Sequence, residues 1–195
     1  MTEFTKHLET YLNYWFKDFE EPAIKKRWGN TDEAQSFLEK YWLSENEFIE
    51  CWKQRQDSLF VSGKELPEMI FQSNYLIDAC LGVSLFTKDT FQKLQSVMKI
   101  IGEKSFVVIQ HTQDYTMGEP MFRLKFPITI TWEELLKGNY ISSVLLTMQY
   151  NQYFVFGESA SWAKYAATDQ LYPIDFYAFE ERHKSIFEQI IDRSK

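Results

Sequence analysis

Apolar side chains recur at spacings of three and four through the first sixty residues. Phe4, Leu8, Tyr11, Leu12, Trp15 and Phe19 form one such stripe, which predicts an amphipathic helix ended by Pro22. Asn30 with Glu33 marks a second helix start, and Phe37, Leu38, Tyr41 and Trp42 supply its apolar face. Ser44 with Glu47 makes a capping-box pair, in which each side chain can take the other residue's free N–H. The helix that follows is expected to bury Phe48, Cys51, Trp52 and Leu59. Helices joined by so few residues predict an antiparallel hairpin.

Gly63 and Pro67 then break the pattern, and residues 69–86 are apolar without a clean period. Thr87 is placed to cap a helix carrying Phe91, Leu94, Val97, Met98 and Ile101, with Gly102 where a left-handed stop is wanted. From there the period shortens. Residues 106–109 are a β-branched and aromatic run that reads as a buried strand. Residues 121–126 alternate, with Phe122, Leu124 and Phe126 on one face and Arg123 and Lys125 on the other. They predict a half-exposed strand antiparallel to its neighbour across a turn near Gly118. Thr131 with Glu134 opens a short helix that Gly138 closes, and residues 144–149 and 153–157 predict a hairpin around Asn151 and Gln152. In 161–168 the alanines favour helix, while the alternation of Trp162, Lys164 and Ala166 favours a strand, the reading adopted here. Pro173 precedes a last strand over 174–179. A closing helix sets Phe179, His183, Ile186, Phe187 and Ile190 on one face.

Helices gathered first and strands after them define an α+β fold. We expect one domain over 1–195: a helical N-terminal third (1–60) packed on a mostly antiparallel sheet formed by 61–195. Residues 150–179, the densest aromatic run, are expected at its centre.

Composition changes this picture in three ways. Aromatics are 17% of the 195 residues, enough to fill a core and leave rings for an interface. A net charge of −7 disfavours nucleic acid and anionic membrane surfaces and suits a basic protein partner. Cys51 and Cys80 lack CxxC spacing and read as reduced thiols. With no signal-peptide pattern and no apolar run of about 18 residues, the expected location is the cytoplasm.

The chemistry-bearing candidates are few. Gly157-Glu158-Ser159-Ala160-Ser161 follows a predicted strand and resembles the nucleophile elbow of α/β-hydrolases, with Asp169 or Asp175 and then His183 in the required order. Ser161 replaces the motif's second glycine, the span from Ser159 to His183 is too short for that fold, and no HGG-type run supplies an oxyanion donor. A serine-rich turn is the plainer reading. His7, His111 and His183 include no metal-ligand pair. His111 with Asp114 and Glu119 reads better as a polar loop than as a metal site, and no Walker loop or GxGxxG points to a cofactor. What remains is surface recognition. Glu158, Ser159, Ser161, Trp162, Lys164, Tyr165 and Asp169 form a short polar and aromatic cluster. Its rings can supply contact area and its acids can steer approach.

The runs TWEELLKGNYIS and YFVFGESASWAKYAATDQLYPIDFYAF resemble the C-terminal part of uncharacterised bacterial proteins similar to the small immunity proteins of polymorphic-toxin systems. That resemblance implies a non-catalytic domain that neutralises a toxin by binding it. The alternatives are a small serine hydrolase using Ser159, Asp175 and His183, and a domain that binds a small ligand between helices and sheet.

Overall fold

The computed structural model describes residues 3, 6, 36, 37, 39–62, 69–81, 85–111, 123–137, 152–168 and 173–188. At their centre lies a six-stranded, wholly antiparallel sheet. Its strands are β1 (Leu76–Leu81), β2 (Ser105–His111), β3 (Arg123–Pro127), β4 (Gln152–Gly157), β5 (Trp162–Thr168) and β6 (Pro173–Phe179). Their spatial order is β1-β6-β5-β4-β2-β3, so the aromatic run does form the middle of the sheet. The α+β class follows directly. The predicted first helix apart from Lys6, the turn at Gly118 and the 144–149 arm of the hairpin lie outside the described residues.

Both faces of the sheet are covered, which is why most strands read as apolar runs without strict alternation. Phe106, Val108, Leu124, Phe126, Tyr153, Val155, Trp162, Ala166, Tyr177 and Phe179 line one face. Val107, Ile109, Phe154, Phe156, Ala163, Tyr165 and Ala178 line the other. Helix α1 covers this second face, passing through Glu45–Glu47, a π-helical stretch Phe48–Trp52 and Lys53–Leu59. It buries Phe48, Trp52 and Leu59, while Cys51, expected inside, is exposed. The first face receives Phe37 and Tyr41, helix α2 (Lys88–Ile101), Leu135 from helix α3 (residues 132–137), and Phe187 from helix α4 (Lys184–Phe187).

The ends of α2 are set locally. Thr87 Oγ1 accepts the Thr90 N–H at 3.2 Å and Thr90 Oγ1 accepts the Thr87 N–H at 2.9 Å, a reciprocal box built from two threonines. At the other end Gly102 takes φ 89°, and its N–H and that of Glu103 both reach the Met98 carbonyl.

The sheet's two edges are blunted. Trp42, expected on a helix, instead bridges Leu124, and the Leu43 N–H donates to the Arg123 carbonyl at 2.9 Å, covering β3. On β1 the Ala79 N–H is taken by Asp78 Oδ1 at 2.9 Å, withdrawing a backbone donor that a further strand would need. β1 is the strand that the periodicity left unassigned. It places Ile77 and Ala79 outward and an aspartate among apolar neighbours, so it shows no clean alternation. Arg123, expected on an open face, is buried because α1 lies over it, with its guanidinium paired to Glu45 and set over the Phe48 ring.

Candidate functional site

The turn from Gly157 to Ser161 joins β4 to β5, two antiparallel neighbours. A nucleophile elbow joins a strand to a helix, so the motif serves a different geometry here. Because Gly102 ends α2 in a left-handed turn, the next residue, Glu103, is delivered to this connection. Its buried carboxylate accepts Ser159 Oγ–H at 2.5 Å, the Ser159 N–H at 3.1 Å and Trp162 Nε1–H at 2.9 Å. Ser161 Oγ lies 2.8 Å from Ser159 Oγ, and the Ser161 N–H also donates to that oxygen. With one proton on each hydroxyl, the chain that satisfies all partners runs from Ser161 to Ser159 to Glu103. Gly157 is required by this arrangement, since a Cβ there would fall inside the Glu103 carboxylate.

Neighbouring elements secure the same turn. Ser105 Oγ donates to Glu158 Oε1 at 2.5 Å, Arg55 Nε to the Glu158 carbonyl at 2.6 Å, and Tyr75 OH to the Ala160 carbonyl at 2.8 Å. Ala160 holds φ 50° within it. Glu103 is the residue that the motif search missed. An acidic residue directly after a helix-stopping glycine, with a second glycine at a strand end, was its only trace in the sequence.

A second polar group lies inside the first face of the sheet. Lys164 is wholly buried, 2.8 Å from Asp175 Oδ2, and donates to the Leu85 carbonyl at 2.6 Å. Its ammonium also lies 4.9 Å from the Phe86 ring centroid and 5.4 Å from that of Tyr177. Burial opposes the Lys164 charge, but Tyr177 and Asp175 outweigh it and the amine stays above its ordinary value. Burial pushes Asp175 up despite Lys164, raises Tyr177 to about 12, and raises the Cys80 thiol to about 11. A thiol held that far up is a poor nucleophile at neutral pH.

These contacts divide the residues singled out in the sequence. Ser161, Trp162, Lys164 and Tyr165 are 0% exposed and give a partner no surface, which corrects the expectation that they form a docking cluster. The reason is the coverage of both faces: Trp162 and Lys164 face the α2 side and Tyr165 the α1 side. Glu158 is half-buried and Ser159 exposed, while Asp169 lies outside the described residues. Of the proposed Ser159, Asp175 and His183 set, Asp175 is engaged with Lys164 and the carboxylate beside Ser159 is Glu103. His183 lies in the turn Glu181–His183 ahead of α4, where burial and Arg182 lower its pKa against Glu180 and Glu103. Asp114, Glu119 and the His111 side chain lie outside the described residues, among which no group of three or more His, Cys, Asp or Glu could hold a metal ion. Nor among them is any helix long and apolar enough to cross a membrane.

The outer surface of α1 has a different character. Ile49 is 57% exposed within the π-helical stretch, with Glu50 beside it and Glu45 one turn earlier. π-Helical turns are rare and concentrate at functional positions. Comparison of the chain with protein-family models, curated proteins and solved structures finds no match.

Proposed function

We propose that this protein is a non-catalytic, cytoplasmic protein-binding domain of the immunity kind, which neutralises a basic toxin domain by direct contact. The observation that carries this reading is the exposed Ile49 among the carboxylates of α1. An apolar side chain ringed by charge is the arrangement of an interface anchor and its rim. In this reading Glu158 and Ser159 contribute at the border of the same surface, where Arg55 of α1 reaches the Glu158 carbonyl.

The test is to mix the purified protein with toxins encoded beside its gene and to measure binding and inhibition. A stable complex that silences the toxin is expected, weakened at least about tenfold by Ile49→Arg, the 1.4 kcal/mol typical of an anchor. Failure of every such toxin to bind ends the immunity reading. Binding that ignores Ile49→Arg places the interface elsewhere.

A second reading keeps Ser159 as a nucleophile, because its hydroxyl lies 2.5 Å from the Glu103 carboxylate, a potential base. It requires fluorophosphonate labelling that disappears in Ser159→Ala. An unlabelled protein removes it.

A further inference from the structure

Among the described residues, Phe187 is the largest side chain by which helix α4 meets the sheet, with Ile186 packed beside the same core. Phe187 is 0% exposed and stacks on Phe179 at 4.8 Å with the rings 4° apart, while Trp162 and Tyr177 each lie 6.3 Å away. The hinge of this helix is His183, whose backbone N–H donates to the Glu180 carbonyl at 2.9 Å. Its Nε2 is buried and has no hydrogen-bond partner.

A neutral imidazole tolerates that position, since a ring nitrogen left as a bare acceptor carries no charge. An imidazolium does not, because it would bury a charged N–H with nothing to receive it. No acceptor lies within hydrogen-bond reach of Nε2, and the charged groups nearby are turned to other partners. Glu103, ahead of β2, already takes three donors from Ser159 and Trp162. Glu180, at the end of β6, is paired with Arg182 Nε at 2.5 Å, and Arg182 itself repels a second cation. Glu181 and Lys184 face each other at 3.9 Å. Tyr177, on the sheet beneath, is protonated throughout the range in question.

We propose that His183 is an acid-sensitive latch, which lets α4 dock on the sheet while its ring is neutral and releases it when the ring gains a proton. The docked state favours the neutral ring, so docking is complete above the ordinary histidine value of about 6.5 and weakens as pH falls below it. Release would uncover the rings of Phe179 and Trp162 beneath Phe187. The device does not depend on what the protein binds.

Amide hydrogen exchange over residues 181–188, corrected for the intrinsic effect of pH, tests it at pH 7.5 and 5.5. The wild type is expected to lose protection at least about threefold at the lower pH. His183→Met keeps an apolar neutral side chain there and is expected to stay protected at both pH values. His183→Gln, which is neutral and close in size, serves the same purpose if the methionine variant folds poorly. Phe187→Ala supplies the exchange level of a released helix. Equal wild-type protection at the two pH values overturns the latch, and so does a loss in His183→Met or His183→Gln as large as the wild type's.

Discussion

Glu103 shows how one side chain can decide the meaning of a motif several strands away. Gly157, Ser159 and Trp162 look like parts of a catalytic turn followed by a docking aromatic, yet all three are shaped around the same carboxylate. The geometry yields a sharp expectation for Gly157→Ala. The new methyl must displace Glu103, so stability should fall by about 1–3 kcal/mol, as for overpacking in a tight interior. Denaturant unfolding measures this, and a double-mutant cycle with Glu103→Ala checks the cause. In that background the Gly157→Ala penalty should shrink, because the atoms it strikes are gone. An undiminished penalty would mean that the glycine serves its backbone alone.

Among the elements, three of the predicted helix caps had different fates. Thr87 and Thr90 close a full reciprocal box at α2. Ser44 and Thr131 each accept the N–H three residues on, at 3.2 and 3.1 Å, but their glutamates turn away. Glu47 pairs with Lys125 of β3, and Glu134 with Lys40 and Lys137. Local patterning therefore located the helix starts, while tertiary partners claimed the longer side chains. Thr87→Ala is expected to remove about 0.5–2 kcal/mol, since the end of α2 loses a donor's partner. Ser44→Ala should cost less, because Glu47 stays anchored on the sheet. Comparing the two midpoints of chemical unfolding tests the ranking.

Taken whole, the molecule buries a charge pair of which one member was expected at a docking surface and the other in a catalytic set. Lys164 and Asp175 lie between α2 and the sheet and tie the segment at Leu85 and Phe86 to β5. Removing one partner leaves the other charged and unpaired, so Lys164→Met should lose about 3–5 kcal/mol. Replacing both, as Lys164→Met with Asp175→Leu, should recover most of that loss. Thermal unfolding of the single and double variants tests the coupling. A double variant as unstable as the single would mean that the Leu85 contact, not the ion pair, is the stabilising part.

Local regularities in the chain were enough to determine the α+β class, both ends of α2, the pairing of β2 with β3 and the central place of residues 150–179. Each depends on a period or a cap that neighbours a few residues apart can set. Which face of a strand meets solvent depends on what packs against it, and only the tertiary structure decided that. Helices over both faces turned Trp162, Lys164 and Tyr165 from candidate contacts into core, and brought Glu103 from the end of one helix to the serine of a distant turn. Alternation shows that two sides exist. Burial of each is a matter of long-range packing, which no short window of residues contains.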